Sequence, residues 1–142
     1  MKEIYFNDHD DKFIALSSYL STLFFWYYTN YSDCRNLNKR EVSSFNLSLD
    51  QLTSKQRKEL VKLGEKLIRN LQDNSYLQDV SYKKYGNLKL QVFQPRLSKD
   101  IVDNIDRVLA EHFGFNDQEL DFIINYDIKY RMGFDREDEE DN

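Results

Sequence analysis

Apolar residues recur at helical spacing in four parts of the chain. The first part predicts a helix from about residue 10 to 27, which Asn7 or Asp8 can cap. Its apolar stripe is wide enough for burial on more than one side, and it contains Phe13, Leu16, Leu20, Leu23, Phe24, Phe25, Trp26 and Tyr27. The short apolar stretch at residues 4–6 is predicted to form a strand.

A second helix is predicted from about residue 54 to 72, beginning at Thr53 or Ser54. Ser48 with Gln51 resembles a capping box slightly upstream. The apolar face of this helix contains Leu60, Leu63, Leu67, Ile68 and Leu71, and the opposite face carries Lys58, Lys62, Lys66 and Arg69. For those cations a solvated outer face is favoured over DNA contact. Residues 32–45 are polar, basic and without helical period, which predicts a loop or an irregular strand.

A β-hairpin is predicted between residues 80 and 93. Segments 80–85 and 88–93 flank Gly86 and Asn87, a two-residue turn of the hairpin kind. The second strand alternates apolar and polar residues (Leu88, Leu90 and Val92 against Lys89 and Gln91), as a half-buried strand does. Pro95 ends it.

Two shorter helices complete the pattern. Ser98 caps the first and Gly114 ends it, with Ile101, Ile105, Val108 and Leu109 facing inward. Asn116 with Glu119 forms a capping box for the second, which carries Leu120, Ile123 and Ile124. The pattern therefore predicts an α+β domain of about four helices and a small antiparallel hairpin, with helices dominant. The acidic tail at residues 134–142 is expected to be disordered.

Charge is distributed unevenly along the 142 residues, whose net charge is −5. Residues 35–99 hold 14 Lys and Arg against 6 Asp and Glu, whereas both flanking regions are acidic. A basic middle indicates a surface for phosphates, although Lys-rich outer faces of helices give the same counts.

The residues expected of an active site are missing from the sequence. The four glycines are isolated, so no Gly-rich loop is present, and one Cys with two His cannot build the usual zinc site. The single Cys34 excludes an internal disulfide and fits a reducing cytoplasm. His9 and His112 are interpreted as structural or surface residues. Asp100, Asp103 and Asp106 follow a helix start, where negative charge is stabilising.

A membrane interpretation rests on residues 13–32, which are almost free of charge and about as long as a bilayer-spanning helix. Six Ser, Thr and Asn residues interrupt that run, and Asp8, Asp10 and Asp11 precede it. A buried helix explains it better, so we predict a cytoplasmic protein without a membrane partner. A small membrane-anchored protein is one alternative, which detergent partitioning tests.

Three strings of residues resemble one protein family. Residues 119–133 (ELDFIINYDIKYRMG) closely resemble the C-terminal end of the restriction–modification DNA methyltransferases with a TaqI-like C-terminal specificity region, which methylate adenine at N6. Residues 93–99 (FQPRLSK) resemble the element before their penultimate helix. Residues 23–26 (LFFW) and 31–40 (YSDCRNLNKR) resemble their aromatic helix and polar recognition segment. Leu20 and Asn46 depart from the pattern, which has Asn and Pro there.

The resemblance implies that residues 1–133 are the C-terminal, target-recognition region of such a methyltransferase. Adenine methylation requires a Gly-containing cofactor loop and a motif with two adjacent prolines that holds the flipped base. Pro95 is the only proline, so we expect no catalysis and no cofactor in this chain. S-adenosylmethionine would bind a preceding segment or another chain, with or without a fused endonuclease. Met1 followed at once by a mid-domain strand is what a fragment or a split subunit would show.

The candidate DNA contacts lie mainly in the polar segment, at Arg35, Asn36, Asn38, Lys39 and Arg40. Arg can hold guanine and Asn adenine by paired hydrogen bonds, whereas Lys39 and Arg40 suit phosphates. Alternatively, Asp33 pairs with Arg35 and makes it a structural strut. Lys83 and Lys84 are further candidates for phosphates, or they keep an exposed strand edge soluble.

The expected partners are double-stranded DNA and a catalytic methyltransferase domain or subunit. Phe25, Trp26 and Tyr27 are expected to face that domain, so the isolated chain would expose an apolar patch and self-associate. Aromatic residues near the C-terminus could stack on bases, although their helical spacing favours core packing (Phe122, Tyr126 and Tyr130). The alternative from another class is a helical protein-interaction subunit that docks on a methyltransferase without touching DNA.

Overall fold

The computed structural model describes residues 4–6 and 8–132, apart from the side chains of Tyr130 and Met132. The expected acidic tail at 134–142 therefore lies outside the described residues. Within them the chain forms six α-helices of six residues or more, a further helical turn and one two-stranded antiparallel sheet. The helices are α1 (His9–Tyr19), α2 (Thr22–Tyr31), α3 (Lys39–Ser44), α4 (Ser54–Asp73), α5 (Lys99–Phe113), α6 (Asp117–Asn125) and the turn α7 (Ile128–Met132), and the strands are β1 (Tyr76–Tyr82) and β2 (Gly86–Val92). The α+β class with dominant helices is confirmed, and the predicted count of four helices is too low.

The N-terminal apolar stripe forms two helices rather than the single predicted one. α1 ends at Tyr19, and α2 begins after Ser21, whose hydroxyl accepts a hydrogen bond from the Phe24 amide at 3.0 Å. Ser is a strong helix N-cap because its side chain replaces a missing backbone acceptor. The strand predicted at residues 4–6 is wrong, since these residues have no regular secondary structure.

The segment between α2 and α4 is partly helical. The prediction of a loop over residues 32–45 is wrong at its second half, where α3 forms. The capping box predicted at Ser48 is also wrong, because Ser48 has a φ of 45° and leads into the 3-10 turn Leu49–Gln51. α4 begins at the other predicted start, where Thr53 and Gln56 form a capping box.

The long helix α4 has the predicted bounds and packs against both α1 and α5. The hydroxyl of Ser17 in α1 donates to the carbonyl oxygen of Leu60 at 2.8 Å. α5 runs antiparallel to α4, because the Ser98 hydroxyl at its start donates to Asn70 Oδ1 near the end of α4, at 2.7 Å. At the opposite end, His112 Nε2 lies 3.0 Å from the carbonyl oxygen of Leu47, upstream of α4.

The hydrophobic core lies between α1, α2, α4 and α5, and α6 adds one residue to it. Its buried members are Ile14, Leu23, Phe24, Phe45, Leu47, Leu52, Leu60, Leu67, Ile101, Val102, Ile105, Val108, Leu109 and Ile123. The predicted inward face of α5 is thus confirmed, as are its end at Gly114 (φ 72°) and the capping box of Asn116 and Glu119. Among the described helices, none has the length and apolar run needed to cross a membrane.

The hairpin forms, but with a different turn and without burial. Tyr82 pairs with Gly86, so residues 83–85 connect the strands, and Gly86 (φ 72°) closes a three-residue loop instead of opening a two-residue turn. The half-buried second strand is also wrong, because no residue of either strand is buried. The register places six apolar side chains on one side, which we call the hairpin face: Tyr76, Val80, Tyr82, Leu88, Leu90 and Val92.

The close approach of α1 to α4 depends on Gly64. A Cβ at this position would lie 2.7 Å from Ser17 Oγ and 2.9 Å from the carbonyl oxygen of Phe13. We therefore expect Gly64→Ala to destabilise the protein by about 1–3 kcal/mol, although alanine is the better helix former. Urea unfolding measures this change. Stabilisation by Gly64→Ala would show that the helices do not pack this closely.

Candidate nucleic-acid interface

The aromatic helix α2 is anchored at its N-terminus by a residue from α5. The carboxylate of Asp106 accepts hydrogen bonds from the amides of Thr22 (3.2 Å) and Leu23 (3.0 Å). These are the first amides of α2, which have no partner within the helix and carry the positive end of its dipole. Asp106 is only 1% exposed, so this contact fixes where α2 begins on the face of α5.

Burial governs the protonation of Asp106. Removal from water raises the pKa of its carboxyl from 3.8 to about 6, and the hydrogen bonds from Thr22 and Leu23 oppose that shift. The interpretation of Asp106 as a favourable charge near the start of its own helix is wrong. Asp106 lies four residues after Val102 and four before Ala110, both of which are buried. This spacing places all three on one face of the helix and indicates an inward-facing carboxylate.

The C-terminal end of α2 is held by α6. The hydroxyl of Tyr126 lies 3.1 Å from Thr29 Oγ1 and accepts a hydrogen bond from Asn30 Nδ2 at 3.1 Å. Its ring also packs against Phe25, with the ring centroids 6.1 Å apart. Tyr126 is thus half-buried against α2 and lies outside the hydrophobic core, Phe122 is 55% exposed, and the side chain of Tyr130 lies outside the described residues.

The polar segment that follows α2 has a backbone shaped by its own side chains. Ser32 Oγ accepts a hydrogen bond from the Cys34 amide at 3.0 Å, and Asp33 Oδ1 accepts one from the Arg35 amide at 3.1 Å. Cys34 itself adopts a left-handed conformation with a φ of 54°. Such local bonds replace the ladder of a helix or sheet, and here they turn the chain directly after α2.

α3 fixes the other end of the segment. Asn38 and Glu41 form its capping box, in which the Asn38 amide donates to Glu41 Oε2 at 3.0 Å. Asn38 Nδ2 also donates to the carbonyl oxygen of Asn36 at 3.2 Å, so the Asn38 side chain is engaged in the turn. Hydrogen bonds from its own amide and from the Asn38 amide lower the pKa of the buried Glu41, against the effect of burial.

Four of the five candidate residues in this segment project into solvent: Arg35, Asn36, Lys39 and Arg40. The proposed strut does not form, because Asp33 binds the Arg35 amide and, in the described part of the chain, no carboxylate pairs with the Arg35 guanidinium. Arg40 Nη2 lies 3.2 Å from Glu41 Oε1 with its side chain 79% exposed. We call residues 33–40 the cationic loop.

The hairpin lysines lie far from the cationic loop. Lys83 and Lys84 occupy the strand connection beyond the C-terminal end of α4, with Lys84 Nζ 5.3 Å from the centre of the Tyr85 ring. α3 lies near the N-terminal end of α4. Leu47, which follows α3, contacts His112 in the last turn of α5, and that turn lies beside the start of α4 because the two helices are antiparallel. Twenty helical residues span about 30 Å, so the structure does not bring these two groups together.

The aromatic residues expected to face a catalytic domain are half-buried within this chain. The Tyr27 ring packs 5.2 Å from that of Phe45, and Phe25 packs against Tyr126. Trp26 borders an open cavity of about 480 Å³ between α2 and α6, which Phe115 and Phe122 also line. The hairpin face is a further apolar surface. The prediction of a half-buried second strand placed these side chains against the core, whereas neither strand is buried.

Among the described residues, no group of three or more His, Cys, Asp or Glu side chains is placed to hold a metal ion. Comparison with known proteins found no matching family model, no matching curated protein and no matching solved structure. Function must therefore be inferred from the cationic loop and its surroundings.

The raised pKa of Asp106 predicts a pH-dependent stability. Between about pH 4 and 6 the folded state holds a proton on Asp106 that the unfolded state has lost, so this group's contribution falls as the pH rises through about 6. From pH 4 to pH 7, the free energy of unfolding should fall by about 2–3 kcal/mol more in this protein than in the Asp106→Asn variant, whose amide does not titrate. Urea unfolding measures both. Parallel stability curves for the two proteins would contradict the burial of this carboxyl.

Proposed function

We propose that this chain is the DNA-binding, target-recognition portion of an adenine-N6 DNA methyltransferase of a restriction–modification system. The observation that carries the proposal is the environment of Arg35. Its guanidinium is exposed and has no ion-pair partner in the described part of the chain, and the backbone of its loop is fixed by hydrogen bonds. A side chain that is charged, exposed and held on a scaffold is suited to bind a partner. The resemblance of residues 119–133, 93–99, 23–26 and 31–40 to that enzyme family supports the choice of partner.

The chemistry of the cationic loop supports a division of roles. Arg35 and Asn36 are the candidates for base edges, since a guanidinium suits guanine O6 and N7 and an amide suits adenine N6 and N7. Lys39 and Arg40, in the first turn of α3, are the candidates for phosphates, which position a protein without reading sequence. Asn38 contributes by holding the turn, because its side chain is engaged there.

The chemical step belongs to a separate catalytic segment under this proposal. That segment would bind S-adenosylmethionine and the flipped adenine, which the resemblance implies for the parent enzyme. This chain would supply affinity and choice of site. A cytoplasmic location and double-stranded DNA as the partner follow from the same proposal.

The hairpin face favours a second candidate function, docking on a methyltransferase without DNA contact. Tyr76, Tyr82, Leu88 and Leu90 are between 39% and 51% exposed, and an isolated two-stranded hairpin is only marginally stable in water. A protein partner that covers this face would explain both features. Salt-dependent DNA binding separates the two candidates, because docking alone predicts none.

We expect the isolated chain to bind duplex DNA weakly, with an affinity that falls steeply as salt rises from about 50 to 200 mM. The loop variant Arg35→Ala/Lys39→Ala/Arg40→Ala should lose most of this binding. Fluorescence anisotropy with a labelled duplex measures both proteins. The matched control neutralises three exposed cations elsewhere (Lys12→Gln/Lys89→Gln/Arg107→Gln) and should bind like the unmodified chain. Equal binding by the loop variant and the control would rule out the cationic loop as the contact.

In a complete methyltransferase containing this chain, Arg35→Ala should weaken specific DNA binding by about 1–3 kcal/mol. Arg35→Lys keeps the charge but not the two-pronged donor, so it should retain nonspecific binding and still lose discrimination at one base. Methylation rates on cognate and single-mismatch duplexes measure this. An unchanged rate and site choice in both variants would remove Arg35 from target recognition.

A further inference from the structure

The outer face of α4 carries a continuous row of cations. Lys55, Lys58, Lys62, Lys66 and Arg69 follow one another at spacings of three or four residues, and all five are exposed. They lie opposite the buried row of Gln56, Leu60, Gly64 and Leu67. We call these five residues the α4 stripe.

The α4 stripe is arranged unfavourably for the helix itself. Lys58, Lys62 and Lys66 place like charges at successive spacings of four residues, an arrangement that destabilises a helix. In the described part of the chain none of these three lysines has a carboxylate partner, although Glu59 and Glu65 lie on the same helix. The five cations of the row outnumber these two carboxylates, so the face keeps a net positive charge that suits an anionic partner.

The α4 stripe is also held rigidly. The buried side of α4 is fixed by Leu60, Leu67 and the close packing at Gly64, so the Cα atoms of the cations keep a fixed spacing of about 4.5–6 Å along the helix. Lys62, Lys66 and Arg69 line a shallow groove with Asn70. Asp73 closes that groove, and Arg69 Nη2 lies 3.9 Å from Glu65 Oε2, so the middle of the stripe is its most cationic part.

We infer that the α4 stripe is a second nucleic-acid contact, one that binds the phosphate backbone of duplex DNA without reading its sequence. A row of ammonium groups suits this partner, because each lysine meets a phosphate as a point charge and releases its counterions. The inference rests on the proposed function for its choice of partner. It adds a surface that lies outside the cationic loop.

The test compares the stripe variant Lys58→Gln/Lys62→Gln/Lys66→Gln with the loop variant and the Lys12/Lys89/Arg107 control. All three remove the same number of positive charges, so a difference between them reports position rather than net charge. The ligand is a labelled duplex of random sequence, titrated by anisotropy at several salt concentrations. Circular dichroism and thermal unfolding confirm the fold, which the stripe variant should keep because its three side chains are exposed.

The stripe variant should bind the duplex at least tenfold more weakly near 50 mM salt, with a salt slope lower by about 3, one for each lysine. Affinity and slope equal to those of the control overturn the inference. The proposed function fails separately if the loop variant binds the duplex like the control and the stripe variant binds it more weakly. An unmodified chain that binds no duplex at low salt overturns the inference, and it also removes the expected contact of the cationic loop in the isolated chain. The Arg35 variants of the complete enzyme then test the proposed function by themselves.

Discussion

The bond between the Asp106 carboxylate and the first amides of α2 is the contact on which the rest of the arrangement depends. It fixes the start of α2 on the face of α5 and joins Thr22 to a residue 84 positions away in the chain. Burying a carboxyl is costly unless its oxygens are bonded, and here the helix terminus supplies the donors. Together with the Tyr126 contact at the other end of α2, it sets the direction of this helix, and therefore the place where the polar segment leaves the core.

The cationic loop gains its shape from both of its ends. α2 is held at its start by Asp106 and at its end by Tyr126, and α3 is held by the Asn38 and Glu41 capping box. Between these anchors the turn uses hydrogen bonds to Ser32 and Asp33 rather than a partner strand. The backbone that carries Arg35 and Lys39 is therefore held in place before any partner binds. Such preorganisation reduces the conformational entropy that is lost on binding.

Much of this fold could be predicted from local sequence, and its long-range contacts could not. The spacing of Leu60 and Leu67 with the helix start at Thr53 predicted α4, and the Asn116 capping box predicted α6, because each signal lies within a few residues. The break at Ser21 was missed because apolar spacing continues across it, although Ser21 is itself a helix cap. The second stabilising contact, from Asp106, comes from α5 and is not visible in local sequence. The hairpin turn was misplaced because one glycine with positive φ fits two loop lengths. The cationic loop was located by residue type, but the engagement of Asn38 required the structure.

Target recognition by this chain requires DNA to lie against the cationic loop. Amide NMR of the full chain, titrated with a cognate or random duplex, tests it residue by residue. Binding at the cationic loop should give the largest shifts at Arg35, Asn36, Lys39 and Arg40, with the buried amides of α5 unchanged. Shifts confined to the hairpin, or no shifts at saturating duplex, would contradict it.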